Sequence, residues 1–143
     1  MLDLTTTEIL FLLMRAAVSL SGYPDPHAIP KIEEVPYENM RDLMILSRIC
    51  SPTDKCNVKA VYLNGVVYVD EHSDIKNNPY DRSFVVHEFV HYLQAQYNSY
   101  EIETYTCSVR AEREDEASKV QNRFLAEVEG VNKVYVVAYP CQD

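Results

Sequence analysis

The sequence predicts a small, single α+β domain, and three observations carry that prediction. Hydrophobic residues recur at helical spacing in four segments, an Asn64-Gly65 dipeptide separates two strand-like runs, and a β-branched, aromatic segment, Val131–Tyr139, closes the chain. A length of 143 residues suits one domain, and 47% hydrophobic residues suffice for a core. We therefore expect one domain over residues 1–143, in which helices pack against a small antiparallel sheet.

An amphipathic helix is predicted to open this domain. Thr5 and Glu8 form a capping-box pattern, which indicates a helix from about Thr6 to Leu20. A proline interrupts the next apolar run, Ile29–Val35, so we expect only a short edge strand there. The apolar spacing within Tyr37–Ile49 predicts a second helix.

A β-hairpin follows. Val58–Leu63 and Val66–Val69 are strand-like and flank Asn64-Gly65, which is the strongest short hairpin signal because both turn residues tolerate a positive φ. The segment Asp70–Tyr80 is polar and predicts a loop.

Two further helices follow this loop. The first is expected over Arg82–Tyr97 with Asp81 as its N-cap, and the second over about Val109–Val128, ended by Gly130. Between them, Tyr100–Thr106 is ambiguous between a short strand and a lid.

The net charge argues against two classes of partner. The chain has 22 acidic and 13 basic residues, for a formal charge of −9. A nucleic acid or an anionic membrane surface needs a positive protein surface, so neither is expected as a partner. The most apolar early run, Ile9–Met14, is far shorter than the roughly 20 residues that span a bilayer, and the acidic start fits a signal peptide poorly.

The four cysteines of the chain give an indication of the cellular compartment in which the protein is located. We expect Cys50 to pair with Cys56 across a turn-rich loop and Cys107 to pair with Cys141, which slightly favours a periplasmic or secreted location. The alternative is four thiols in a cytosolic protein. No CxxC pair is present, so a zinc site made of cysteines is not expected.

The candidate metal-ligating and catalytic residues lie in the first of the two later helices, which contains His87-Glu88-Phe89-Val90-His91, an HExxH motif. At helical spacing His87 and His91 lie one turn apart on one face and can hold one zinc ion. Glu88 lies beside them, where it would accept a proton from a water that the metal activates. The helix is apolar around most of its circumference and is expected to be buried, and a metal would satisfy the three polar side chains.

A third ligand is expected from the acidic start of the next helix. On a helical projection the apolar face centres near Val120, with Glu116 about 40° and Glu112 about 80° from that centre. Glu114 and Asp115 project to the other side. The projection therefore predicts Glu116 as the third ligand, with Glu112 as the runner-up.

These motifs resemble the gluzincin clan of zinc metallopeptidases, and more narrowly the minimal gluzincins and small uncharacterised bacterial domains that pair HExxHxxQ, a Cys and an ExEAxxxQ helix. The matching residues are His87, Glu88, His91, Gln94, Cys107, Glu114, Glu116, Ala117 and Gln121. The resemblance implies zinc ligation by His87, His91 and Glu116, with Glu88 as general base. It also implies that the strand before the metal helix, Val66–Val69, is an edge that receives an extended peptide.

The resemblance also implies a residue that stabilises the oxyanion, and any zinc site needs groups that orient its histidine ligands. Gluzincins stabilise the oxyanion with a downstream His or Tyr, and no His follows His91, so the choice lies among Tyr105, Tyr135 and Tyr139. Ser118 stands where the family often has an aromatic residue. The acids that could orient the histidines are Asp70, Glu71, Asp74 and Glu112, and the first three also hint at basic or neutral peptides as substrates.

Three hypotheses follow. The first is a zinc-dependent hydrolase, specifically a metallopeptidase acting on a peptide or protein substrate. The second is a zinc-binding but catalytically inactive structural or interaction domain, in which a fourth protein ligand such as His72 closes the site. The third is a binding or inhibitor protein in which HExxH is accidental.

Overall fold

The computed structural model describes residues 5–46, 59–97 and 106–132. Over these residues the chain forms four α-helices and a three-stranded mixed sheet, which confirms the α+β prediction. The predicted segments 100–106 and 131–139 lie almost wholly outside the described residues, so both stay predictions.

Helix α1 (Thr6–Ser21) begins and ends as its sequence predicts. The Glu8 backbone N–H donates to Thr5 Oγ1 at 3.2 Å, and the Glu8 carboxylate accepts from the Thr5 backbone, so the capping box is formed. Gly22 ends the helix at a φ of +83°, the left-handed conformation that glycine adopts without steric cost. The buried face of α1 consists of Ile9, Leu10, Leu13, Met14 and Ala17.

The sheet has the order β1-β3-β2. Strands β2 (Ala60–Leu63) and β3 (Val66–Asp70) form the predicted antiparallel hairpin around Asn64 and Gly65, whose φ angles are +49° and +85°. Strand β1 (Lys31–Val35) pairs with β3 in parallel. The strand predicted over 29–35 is thus confirmed as a short strand at one side of the sheet.

This strand order corrects one sequence-based expectation. Strand β3 has a neighbour on both sides, so the prediction that Val66–Val69 is an edge strand is wrong. Within the described residues the strand that is open on one side and lies next to the HExxH helix is β2. The error arose because the parallel pairing of β1 with β3 joins segments about 35 residues apart, and no local pattern signals it.

Helices cover both faces of the sheet. Helix α2 (Tyr37–Leu46) packs Met40 and Met44 against Val61 on one face. The opposite face, which includes Ala60 and Val67, packs against α1 and the two later helices in the main core. Side chains of alternating residues thus enter two separate cores, as the pleat of a strand requires.

Helix α3 (Pro79–Tyr97) is the central element of the main core. Its residues Val86, Phe89, Val90 and Leu93 are fully buried, which confirms the prediction of a buried helix.

The start of α3 differs from the prediction. Asn78 caps the helix, since its Oδ1 accepts from the backbone N–H groups of Tyr80 at 2.9 Å and Asp81 at 3.4 Å. Asp81, the predicted N-cap, instead lies inside the first turn, where it is buried and accepts from the Asp74 N–H at 2.8 Å. The helix begins earlier because Pro79 suits the first helical position, where no N–H is needed.

Helix α4 (Cys107–Arg123) packs along α3 and continues into a π-helical turn, Phe124–Val128. Thr106 caps it, with Oγ1 accepting from the Val109 N–H at 3.2 Å. Gly130 follows the turn at a φ of +67°, as expected of a helix stop.

No described helix combines the length and the apolarity that a bilayer crossing requires. Of the four cysteines, Cys50, Cys56 and Cys141 lie outside the described residues, so the disulfide pairing stays a prediction.

Candidate metal centre

Helix α3 brings the three HExxH side chains together in the interior. His87, Glu88 and His91 are 8%, 8% and 7% exposed, and one ligand atom from each lies within 4.8 Å of the others. Because His87 and His91 are one turn apart, their rings face the same space, with centroids 4.9 Å apart. In the part of the chain that the structure describes, no other group of three such residues meets this criterion.

A carboxylate on α4 faces both imidazoles. Glu114 Oε2 lies 2.9 Å from His87 Nε2, and Glu114 Oε1 lies 2.8 Å from His91 Nε2. The second contact has the distance but not the direction of a hydrogen bond, so His91 Nε2 is buried with no hydrogen-bond partner among the described residues. Two nitrogen atoms and one carboxylate thus converge on one point.

Glu116, the predicted third ligand, lies elsewhere. It does face α3, as the projection predicted, but its Oε1 accepts from Gln94 Nε2 at 2.9 Å and from the Tyr23 hydroxyl at 2.6 Å. Among the described contacts none joins Glu112, the runner-up, to either histidine, and its side chain is exposed. The geometry therefore replaces Glu116 and Glu112 with Glu114 as the carboxylate at the centre.

The projection erred because it used only apolar residues to define the buried face of α4. That face also contains two polar residues, Ser118 and Gln121, which are 5% and 2% exposed. Glu114 precedes Ser118 by four positions and Gln121 by seven, so it lies on the same stripe of the helix. A search for polar residues at this spacing would have found Glu114.

The environment of Glu88 differs from that of an ordinary surface carboxylate. Burial raises the pKa of Glu88 to about 7, the charge of His87 opposes this rise, and the charge of Glu114 adds to it. Its Oε2 accepts from the Tyr62 backbone N–H of β2 at 2.8 Å, which fixes the side chain. A carboxylate with this pKa can take and return a proton near neutral pH.

Glu114 shows the opposite shift. Burial alone would raise the pKa of Glu114, but the short contacts from His87 and His91 and their charge outweigh it and hold the pKa far below its usual range. Glu114 therefore remains an anion. Two neighbouring carboxylates whose pKa values are driven apart are typical of sites that separate a charge-stabilising role from a proton-transfer role.

The outer nitrogen atoms of both rings face glutamines. His91 Nδ1 lies 2.8 Å from Gln94 Oε1, and His87 Nδ1 lies 3.0 Å from Gln121 Oε1. Gln94 is fully buried and Gln121 is 2% exposed.

Acids were predicted in this role. Three of them, Asp70, Glu71 and Asp74, instead make contacts within the loop after β3, and the fourth, Glu112, is exposed on α4. The Asp70 carboxylate accepts from the His72 N–H and the Asp74 carboxylate from the Asn77 N–H, while Glu71 pairs with the His72 ring at 3.4 Å. The His72 side chain is 70% exposed in that pair, so it is not placed as a fourth ligand.

Tyrosines also border the site. The rings of Tyr62 and Tyr92 meet edge to face with centroids 6.1 Å apart. The backbone N–H of Tyr62 donates to Glu88, and Tyr92 follows His91 in the sequence. The three tyrosines proposed for the oxyanion, Tyr105, Tyr135 and Tyr139, lie outside the described residues, so that role stays a prediction.

Comparison with known proteins adds no family assignment. The chain matches no protein-family model, no curated protein and no solved structure. The geometry of the site is therefore the basis on which a function can be proposed.

Proposed function

We propose that this protein is a zinc-dependent hydrolase, specifically a metallopeptidase, whose zinc ion is held by His87, His91 and Glu114. One observation carries the proposal: the Nε2 atoms of both histidines lie within 2.9 Å of a single carboxylate. Two histidines and one glutamate are a common ligand set of catalytic zinc, which keeps its fourth position for water or substrate.

The donor atoms support zinc over calcium and magnesium. Calcium and magnesium prefer oxygen ligands throughout, whereas two imidazoles with one carboxylate suit zinc. A buried nitrogen without a partner, such as His91 Nε2, costs about 1 to 3 kcal/mol, and a cation at this point would remove that cost. The anionic Glu114 further favours a cation.

Zinc, when bound, would supply a Lewis acid and lower the pKa of a bound water towards neutrality. Glu88 is the residue that accepts the water proton in this proposal. Its Oε2 is anchored to the Tyr62 N–H at 2.8 Å, which leaves its other oxygen to act as the base. The raised pKa of Glu88, about 7, also suits it to deliver the proton to a leaving amine.

A peptide is the substrate that the surrounding strands favour. Strand β2 is open on one side within the described residues, and its Tyr62 N–H points at Glu88 rather than at β3. An extended peptide added to this side of β2 would bring its backbone next to the proposed base. The proposed substrate strand is therefore Ala60–Leu63 in place of Val66–Val69.

A second function has one observation in its favour. Glu88 lies in the same 4.8 Å group as the histidines, so it could occupy a fourth coordination position. Four protein ligands would close the site and make the zinc structural, which is the inactive domain of the second hypothesis.

One set of variants separates these functions. Purified wild type, Glu114→Gln and Glu88→Gln are compared for zinc content and for hydrolysis of a mixed peptide library. The metallopeptidase predicts that Glu114→Gln loses zinc, whereas Glu88→Gln retains zinc and loses hydrolysis. Loss of zinc from Glu88→Gln would favour the structural site, and a wild type that retains no zinc would refute both.

A further inference from the structure

The two glutamines behind the histidines are buried more deeply than the histidines themselves. Gln94 on α3 contacts His91, and Gln121 on α4 contacts His87, in each case through the amide oxygen and the ring Nδ1. The atom that each amide presents to its ring decides whether Nδ1 of that ring carries a proton.

The orientation of the Gln94 amide follows from its other neighbours. Its Nε2 lies 3.0 Å from the Arg113 carbonyl oxygen and 2.9 Å from Glu116 Oε1, two atoms that accept hydrogen bonds when the carboxylate is ionised. Arg113 Nε, which only donates, lies 3.3 Å from Oε1. These contacts place the NH₂ group towards Glu116 and the amide oxygen towards His91, so His91 Nδ1 must carry a proton.

The hydroxyl group of Ser83 orients the Gln121 amide. The Ser83 hydroxyl donates its one proton to the Tyr80 carbonyl oxygen at 2.6 Å, so towards Gln121 it only accepts. Gln121 Nε2 donates to Ser83 Oγ at 3.1 Å, which leaves Gln121 Oε1 to face His87. His87 Nδ1 must also carry a proton.

We infer that Gln94 and Gln121 are positioning residues that keep Nδ1 of both imidazoles protonated, so that Nε2, which faces Glu114, is the nitrogen that gives up its proton when a divalent metal binds. Glu116, which accepts from the Tyr23 hydroxyl as well, acts on His91 only by orienting Gln94. The inference rests on the proposed metal site, since a neutral ring protonated at Nδ1 can bind a metal only through Nε2.

The expected size of this effect follows from other metal sites. Removal of a group that orients a metal-bound histidine lowers metal affinity by about 10- to 100-fold. Without its glutamine each ring could exchange tautomers or rotate, and the ligand set would no longer be pre-formed. The loss should appear in metal affinity rather than in overall stability alone.

The first test needs no substitution. In zinc-loaded wild type, nitrogen-15 NMR of the histidine rings should show that His87 and His91 each carry a proton on Nδ1 and bind metal through Nε2. Binding through Nδ1 of either ring would overturn the inference. A wild type that binds no zinc would instead refute the proposed function, so the two failures are distinguishable.

The second test measures zinc affinity by competition with a chelator. Gln94→Met and Gln121→Met should each bind zinc about 10- to 100-fold more weakly than wild type. Gln121→Glu should retain near wild-type affinity, because a carboxylate accepts the same Nδ1 proton. Ser118→Ala is the matched control, since it removes a buried hydroxyl from the same face of α4 and should leave the affinity unchanged.

The role of Glu116 has its own test. Glu116→Gln should weaken zinc binding in the wild-type background and have no further effect in Gln94→Met, since it acts through Gln94. Additive effects in the double variant would contradict this route. Folded Met variants with wild-type affinity would overturn the positioning role. If they do not fold, Ser83→Ala, which frees the Gln121 amide to turn, carries the same prediction.

Discussion

Substitution of Glu114 by Gln should abolish tight zinc binding while leaving the fold intact. The change keeps the size of the side chain and removes one negative charge from the point where His87 Nε2 and His91 Nε2 converge, 2.9 and 2.8 Å away. Loss of a group that merely orients a ligand costs about 10- to 100-fold in affinity. A direct ligand should cost at least about 100-fold, which corresponds to about 2.8 kcal/mol.

The assay is a zinc titration against a chromophoric chelator at fixed pH, with thermal unfolding as the check on folding. Glu112→Gln is the matched control, because it removes the same charge from an exposed position of the same helix. Glu116→Gln should fall between the two, since it acts through Gln94. If Glu114→Gln binds zinc as tightly as wild type while Glu116→Gln does not, the assignment of Glu114 is refuted.

Three further predictions concern Glu88 as the base, the titration of Glu88, and an ion pair outside the site. Glu88→Gln should retain zinc and lose peptide hydrolysis, and turnover at the wild-type rate would exclude Glu88 as the base. In the metal-free protein the folded-state pKa of Glu88, about 7, lies above its ordinary value of 4.5, so its contribution to stability is present below pH 4.5 and is lost as the pH rises to about 7. Urea unfolding at pH 5 and pH 8 should show a difference in the free energy of unfolding that Glu88→Gln reduces by roughly 2 to 3 kcal/mol, and equal pH dependence in both proteins would contradict the shift. Arg82→Met should lower the free energy of unfolding by about 2 kcal/mol, because Arg82 donates two hydrogen bonds to Glu129, at 2.6 and 2.8 Å. Zinc affinity should not change, since these contacts lie outside the site. Unchanged stability would refute the stabilising role of the ion pair.

Much of the fold could be predicted because its signals are local. The capping box of α1 and the turn at Asn64 and Gly65 each depend on a few adjacent residues, and both form as expected. The burial of His87 and His91 was predictable for a related reason, since apolar residues surround them on the middle part of α3, where no side chain is exposed.

The parts that could not be predicted depend on contacts between distant segments. Because β1 pairs with β3, β3 has a neighbour on both sides, and β2 is the strand beside α3 that keeps an open side within the described residues. The roles of Glu114 and Glu116 depend on how α4 rotates against α3, which is set by buried polar residues such as Gln121 as well as by apolar ones. Apolar periodicity alone assigns such residues to the surface, so the projection directed Glu116 rather than Glu114 towards the histidines.

The most direct test of the metal centre is zinc X-ray absorption spectroscopy on the stoichiometrically loaded wild-type protein. We predict one zinc ion per chain with two imidazole nitrogens and oxygen atoms in its first coordination sphere, as His87, His91 and Glu114 require. Failure to retain one zinc, or a sulfur shell from the cysteines, would contradict the account.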